Sequence, residues 1–581
     1  MSVNERLENL LSWATANGAH INDSISFDYL PSKGVSAMIK QDLTDKTGLI
    51  RIPRELLITS DLATDFFKID FQGLKTGNEP LQLLLAKLKF DLDNTIVKEV
   101  NLSEKFKDFI EYLPSGKEIG TPFFWNLQEQ DLLKGTDAHI FLFRNFGQLI
   151  QEWSEIVSQL DSTPDIHTDL KVFEKYASKG KEYLQSPEFN KLVNGDIKSW
   201  TSFPAYLWAH NIFTSRAFPH ILIDPKIKQK ALAFLLPVVD LLNHEDGKKV
   251  SWTFENNEVV FNTKESDTSL KQGSELLNNY GDKTNVDLLL GYGFVLDRNS
   301  SDETTVSLKV DAEALEHAKK IGVDISSDAA EVGMNFHITN ETPLPPNLVK
   351  FFASLVQLKS ERGLYTLRMK LEGLSQLRKI LESKIVLFKT FKITVGADIS
   401  PRVSKIAKTY KNTQRALFQK AVDEINKVEK NILKEQKPLS FKTVMKTDQR
   451  FATSLLLTFG ITRYEDLIAK GILEHAVLLW IVRNVNKAKY HDVNQDIFPD
   501  FISKTFEDVK KTIQVTKEDV KEYTPLYKSL FPLLPEKIPE IYAKGEWSAK
   551  NIIIAGTVKD RLEFIRPSSN ELFLLNKVVL N

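Results

Sequence analysis

Not one of the 581 residues is a cysteine. Disulfides, thiolate zinc clusters, iron–sulfur centres and a cysteine nucleophile are all excluded. A chain without such staples must hold itself together by burying apolar surface, and this one is long enough to do so. Hydrophobic residues make up 42% and charged residues 26%, the balance of an ordinary globular protein. The length suggests roughly three to five domain-sized units. Lys plus Arg number 76 against 77 Asp plus Glu, which excludes a strongly basic nucleic-acid binder, and no direct nucleic-acid contact is expected. No apolar run approaches the ~18 residues of a membrane span. The opening MSVNERLENLL is charged and amphipathic rather than a signal peptide. A soluble intracellular protein is expected, cytoplasmic, with the nucleus also open.

Apolar spacing sets the coarse organisation. Leu7, Leu10, Leu11 and Ala14 share one face of a helix over 4–17, which Gly18 stops. Gly48 to Ile52 reads as a strand ending at Pro53. Residues 80–200 read as mostly helical. Over 250–262, Val250, Trp252 and Phe254 alternate, Asn256-Asn257 supply a turn, and Val259 to Phe261 return as the second arm of a hairpin. After about residue 300 the character changes. The breaker TPLPPN at 342–347 precedes a stripe of Leu367, Leu371, Leu374, Leu377, Leu381 and Ile385, and then Phe418, Ala421, Ile425, Val428 and Ile432 make a second. Each stripe is too short for a convincing coiled coil, so these are the packing faces of a helical C-terminal domain. Near the end, Ile552 to Val558 reads as a strand and matches no motif.

Common catalytic signatures are absent: there is no GxxxxGK[ST], no HExxH and no GxSxG. The 10 histidines lack metal-ligand spacing, and no metal is expected. GYGFVLD at 291–297 lacks the third glycine of a dinucleotide turn. What remains is a series of short pieces: TSRAF at 214–218, PVVDLLNH at 237–244, NNYGDKTN at 278–285 and LLLGYGFV at 288–295. Each alone has an unremarkable reading. A Ser-Arg pair is usually a surface feature, an acid before a turn is usually a cap, and a Tyr-Gly pair is usually only a turn.

In that order and spacing the pieces resemble the catalytic half of SET-domain protein-lysine methyltransferases. The resemblance is to the branch that holds the Rubisco large-subunit methyltransferase and the fungal ribosomal-protein and elongation-factor methyltransferases, and within it to the fungal ribosomal lysine methyltransferases above the others. In that branch an NH motif is followed by a hairpin, a YG-x-K-x-N turn and YGF. LLSWATANG at 10–18, RIPRELLIT at 51–59, TPFFWNLQEQDLLKGT at 121–136 and YLWAHNIFTSRAF at 206–218 extend the match over roughly residues 5–300. The implied fold is α+β: a SET region of short strands over 1–300 with a helical insert at about 80–205, followed by a helical, substrate-binding domain over 301–581.

The resemblance implies S-adenosyl-L-methionine as cofactor and a protein lysine as acceptor. Tyr280 takes the position of the catalytic tyrosine. Asn243, His244 and Asp240 fall at cofactor-proximal positions, and Arg216 at that of the arginine pairing with the cofactor carboxylate, a partner suited to a planar guanidinium. Ser215 lies beside it. Tyr292 and Phe294 match aromatic walls of the lysine channel, where ring faces favour a cationic, methylated amine. In the cofactor loop the family's EGxG is replaced by PSKGVSA at 31–37: Gly34 keeps one glycine, and Ser32 or Lys33 stands where an acid is usual. The implied substrate is a non-histone protein, with a ribosomal protein first and a translation elongation factor or cytochrome c as alternatives. Retention of Tyr292 argues against a sister branch that methylates histidine. A non-enzymatic scaffold is the alternative of another class, and keeping Tyr280, Asn243, His244 and Arg216 together argues against it. The lack of cysteine fits a branch that completes its lysine channel without zinc clusters.

Overall fold

The opening helix, Val3–Ala16, buries Leu7, Leu10 and Ala14. It starts at a capping box, in which Ser2 Oγ accepts from the Glu5 amide and the Glu5 carboxylate accepts from the Ser2 amide. Gly18 follows its end at φ +91°. This computed structural model describes residues 2–580 apart from 31–32, 44, 92, 265–266, 268–269, 328, 391–397, 492 and 532. The chain forms two units, Met1–Thr304 with Thr390–Ala416, and Thr305–Lys389 with Leu417–Asn581.

In the first unit four antiparallel strands lie in the order His20–Ile21, Ile50–Pro53, Glu258–Thr263, Val250–Glu255. The hairpin joining the last two turns at Asn256 and Asn257, both at positive φ, as a tight right-twisted turn demands. Val259 and Phe261 point into a core with Ile50, Ile52, Phe234 and Leu242. A second hairpin pairs Ile25–Leu30 with Gly34–Ile39, and Ala217–Pro219 pairs with Ala233–Leu235. Between the strands stand helices, among them Glu79–Phe90, Asp137–Val157, Pro164–Lys179 and Pro187–Val193. The chain returns to the strands along Phe203–Arg216. That helix is buried on nearly every side, with Tyr206, Leu207, Trp208 and Ile212 all enclosed.

In the second unit the leucine stripe of helix Leu367–Thr390 is buried. Leu374, Leu377, Leu381 and Ile385 share a core with Phe418, Ala421 and Ile425 of helix Pro401–Gln436, so each stripe finds its partner within the chain. One expectation is corrected here. Ile552 to Val558 is not a strand but the middle of helix Ala549–Leu562, which starts where the Asn551 amide donates to Ser548 Oγ at 3.2 Å. Helices Leu473–Val485, Asp500–Thr512 and Lys517–Leu530 pack around it. Residues 551–556 of that helix are all buried, so its consecutive isoleucines lose the 3.6-residue period that marks an amphipathic helix. Among the described residues no helix is long and apolar enough to cross a membrane, and no three His, Cys, Asp or Glu side chains cluster as metal ligands.

Candidate active site

Strand Ala233–Leu235 delivers the chain to a strained corner. Val238 has φ +70° and ψ −50°, and the Val239 amide donates to the Pro237 carbonyl at 2.9 Å. This is a γ-turn of the rare hand, which costs a β-branched residue about 1–3 kcal/mol. It leads into a single helical turn, Val239–Leu241, and turns Asp240 inward. The Asp240 side chain has 0% exposure, and its Oδ2 accepts from Arg216 Nη1 at 2.8 Å. Arg216, the last residue of Phe203–Arg216, also donates to the Asp240 carbonyl at 3.2 Å, and its guanidinium lies 5.8 Å from the Tyr112 ring centre. Burial works against the charge of Arg216, but its neighbours, Asp240 first and then Tyr112, together outweigh burial and hold the group above its ordinary value.

The next residues are laced to 278–281. The Asn278 amide donates to the Asn243 carbonyl at 2.7 Å, and the Glu245 amide donates to the Asn278 carbonyl at 2.9 Å. The Tyr280 amide donates to His244 Nδ1 at 3.0 Å. His244 must therefore carry its proton on Nε2, and burial lowers its pKa below 6.5, so it stands neutral. Its ring stacks on Tyr280 at 4.9 Å, and Tyr280 stacks in turn on Tyr292 at 4.7 Å. Phe294 closes the group edge-on, 6.2 Å from Tyr292. Tyr292 ends the helix Asn285–Tyr292, which Thr284 caps through Asp287 and Gly293 terminates at φ +77°. Beneath it, buried Asn285 holds Leu296 by both its amide and its carbonyl, and Asp302 accepts from Asn285.

Of the expected residues, then, the fold gathers Asp240 with Arg216, and His244 with Tyr280, Tyr292 and Phe294. Asn243 lies against strand Gly34–Ile39, donating from Nδ2 to the Val35 carbonyl at 2.9 Å. Gly34 opens that strand at φ +86°, and a Cβ there would meet nothing within 4 Å. Ser215 is less available, because its hydroxyl is bonded to the Asn211 and Ile212 carbonyls of its own helix. Ser32 lies outside the described residues. Sequence reasoning assigned no role to Val238, Tyr112 or Glu275, and quoted Asn285 only as the closing Asn of the 278–285 motif.

Comparison with solved structures places this fold beside the SET domain of LSMT, solved with lysine and AdoHcy (TM-score 0.50, 15% identity, 74% of this chain and 92% of that one). Sequence comparison finds the protein-lysine N-methyltransferase EFM1 of Saccharomyces cerevisiae 35% identical, over 99% of both chains. The chain belongs to the SET-domain protein-lysine N-methyltransferases. The ribosomal lysine N-methyltransferase 1 of the same yeast is 29% identical over 90% of this chain and 93% of that protein. The ribosomal lysine N-methyltransferase set10 of Schizosaccharomyces pombe is 26% identical over 52% and 48%. Residues 303–436 match the family described as the EFM1 middle domain.

The methyltransferase uses S-adenosylmethionine, which when bound supplies an electrophilic methyl on its sulfonium. The residues present fit such a ligand. Asp240 Oδ1 is buried without a hydrogen-bond partner, only Nη1 of the Arg216 fork is taken up by Asp240, and Gly34 leaves its backbone open to close approach. Arg216 would hold the carboxylate and Asp240 would accept from a donor. The acceptor lysine must be uncharged to attack, which costs roughly 4–5 kcal/mol for a free side chain at neutral pH. Burial of the acceptor lysine away from water would lower that cost by disfavouring the ammonium. The Tyr280 hydroxyl donates to the Leu242 carbonyl at 2.8 Å. Its lone pairs are thus the groups left to orient an amine N–H or a polarised methyl. Burial raises its pKa and pushes that of Tyr292 up to about 12, so both phenols stay protonated. With a lysine bound, Tyr280 would be placed to orient the amine rather than to take its proton, which water can remove beforehand. Aligned approach supplies much of the acceleration in a direct displacement of this kind.

Proposed function

We propose that the chain methylates a lysine of a translation elongation factor in the cytoplasm, and that the second unit binds the substrate protein. The sequence resemblance put a ribosomal protein first, with an elongation factor or cytochrome c as alternatives. What supports placing the chain outside the ribosomal group is its 35% identity over 99% of both chains to the protein-lysine N-methyltransferase EFM1, above the 29% and 26% shared with two ribosomal enzymes; an elongation factor is then the translational acceptor that remains. A ribosomal protein is the second reading, supported by the 90% coverage of the match to ribosomal lysine N-methyltransferase 1. The test is incubation of the enzyme with methyl-labelled cofactor and lysate from a strain lacking its gene, followed by mass spectrometry of the labelled band. Methyllysine on an elongation factor is the expected result. Methyllysine on a ribosomal protein selects the second reading. Methylhistidine, or no labelled protein, rejects both.

A further inference from the structure

Asn243 is held in a way that fixes which end of its carboxamide can meet a ligand. Its Nδ2 donates to the Val35 carbonyl at 2.9 Å and to Glu275 Oε1 at 2.7 Å, with Ser36 Oγ further off at 3.4 Å. A carboxamide nitrogen has two hydrogens, and a carbonyl and a carboxylate can only accept. The amide therefore has one permitted orientation, with nitrogen toward Val35 and Glu275 and Oδ1 on the other side. A neutral amide in place of Glu275 could turn its own donor toward Asn243 and leave the Val35 carbonyl alone to hold the orientation; an ionised carboxylate cannot donate.

Glu275 is itself well placed for this. It bridges Met38 of strand Gly34–Ile39, its side chain is only 10% exposed, and its Oε2 accepts from Lys33 Nζ at 3.0 Å. Burial raises its pKa, but the hydrogen bonds from Asn243 and Lys33 outweigh burial and bring it below its ordinary value, so it is ionised. Lys33, where the family's cofactor loop usually carries an acid, thus supplies the counter-charge to Glu275 and ties the strand's entry to the Asn243 segment. Its 60% exposure makes that tie weak and salt-sensitive.

We propose that Glu275 is a positioning residue for cofactor recognition: it locks Asn243 so that Oδ1 is presented as an acceptor for an N–H donor of S-adenosylmethionine. The proposal rests on the placement of Asn243 at the cofactor site. The experiment measures the cofactor dissociation constant by calorimetry, alongside Tm, for Asn243→Ala, Glu275→Ala, the near-isosteric Glu275→Gln, Lys33→Met, and the Asn243→Ala/Glu275→Ala double variant. Asn243→Ala and Glu275→Ala should each weaken binding about tenfold, the scale of one hydrogen bond to a charged group. The double variant should be no weaker than either single one, because both changes remove the same contact. Glu275→Gln should fall between wild type and Glu275→Ala with little change in Tm. Lys33→Met should cost about twofold at low salt and nothing at high salt. A second ligand, 5′-methylthioadenosine, lacks the methionine amine. An effect of Glu275→Ala confined to S-adenosylmethionine assigns the donor to that amine, and an effect on both assigns it to the adenine. Unaltered binding in Glu275→Ala and Glu275→Gln, with Asn243→Ala impaired, overturns the role of Glu275. A full further loss in the double variant overturns action through Asn243. Unaltered binding in Asn243→Ala is a distinct failure, of the placement of Asn243 itself.

Discussion

Replacing Tyr280 with Phe removes one oxygen from the centre of the site and little else. The ring keeps its stacking partners, His244 at 4.9 Å and Tyr292 at 4.7 Å. Its amide keeps the bond to His244 Nδ1. What is lost is the 2.8 Å hydrogen bond to the Leu242 carbonyl and the lone pairs that would orient an incoming amine. The first loss costs about 1–2 kcal/mol of stability, including the carbonyl left unpaired. The second removes an oriented polar group from the transition state, and such losses reduce kcat by about 10²–10³, or roughly 2.7–4 kcal/mol. Cofactor affinity should change by less than about twofold, well under 1 kcal/mol. The assay pairs single-turnover transfer from labelled S-adenosylmethionine with calorimetry of cofactor binding and a melting curve. A kcat within about threefold of wild type, less than 1 kcal/mol in barrier, refutes the central role of the hydroxyl. A matching fall in cofactor affinity refutes its restriction to the transfer step.

Gly293→Ala should be severely destabilising. The position has φ +77°, and a Cβ there would lie 2.5 Å from the Ile119 carbonyl oxygen. The left-handed conformation alone costs an alanine about 1–2 kcal/mol, and the displaced backbone should carry Tyr292 and Phe294 with it, so Tm and kcat both fall; an unchanged Tm rules out the close contact. Arg216→Ala removes the counter-charge from buried Asp240, which should cost about 3–5 kcal/mol of stability and raise the cofactor dissociation constant. Unchanged binding by calorimetry at a temperature where the variant is folded removes Arg216 from the cofactor site. His244 should titrate below the ordinary 6.5 of an imidazole, since burial disfavours the imidazolium. The sign follows: the neutral ring's contribution is complete above that unfolded value and disappears as pH falls through the lower folded one. NMR titration of the ring nitrogens should give a midpoint below 6.5 with the proton on Nε2; a higher midpoint, or a proton on Nδ1, contradicts the bond from Tyr280.

Much of the local structure is written locally. A capping box needs only Ser2 and Glu5, a hairpin turn only Asn256 and Asn257, and a helix with one wet face shows its stripe, as Leu367–Thr390 does. Motif order also named residues that do meet: Arg216 with Asp240, and the rings of His244, Tyr280, Tyr292 and Phe294. The helix at 549–562 was not legible, because burial of every residue from 551 to 556 erases the alternation of wet and dry faces on which periodicity depends. Nor could the sequence show that Thr390–Ala416 groups with the first unit, since that grouping depends on contacts between distant segments.

By itself, then, the sequence determined the chemistry available to the protein: no thiol, and a tyrosine, an arginine and an Asn-His pair in the order of one enzyme family. Tertiary structure decided how those groups are oriented. The strain at Val238, the partner of Arg216 and the fixed amide of Asn243 all depend on residues brought together from far along the chain, with Glu275 set against Asn243 and Lys33. Hydrogen-bond polarity and backbone strain are properties of such encounters, and no spacing rule along the chain encodes them.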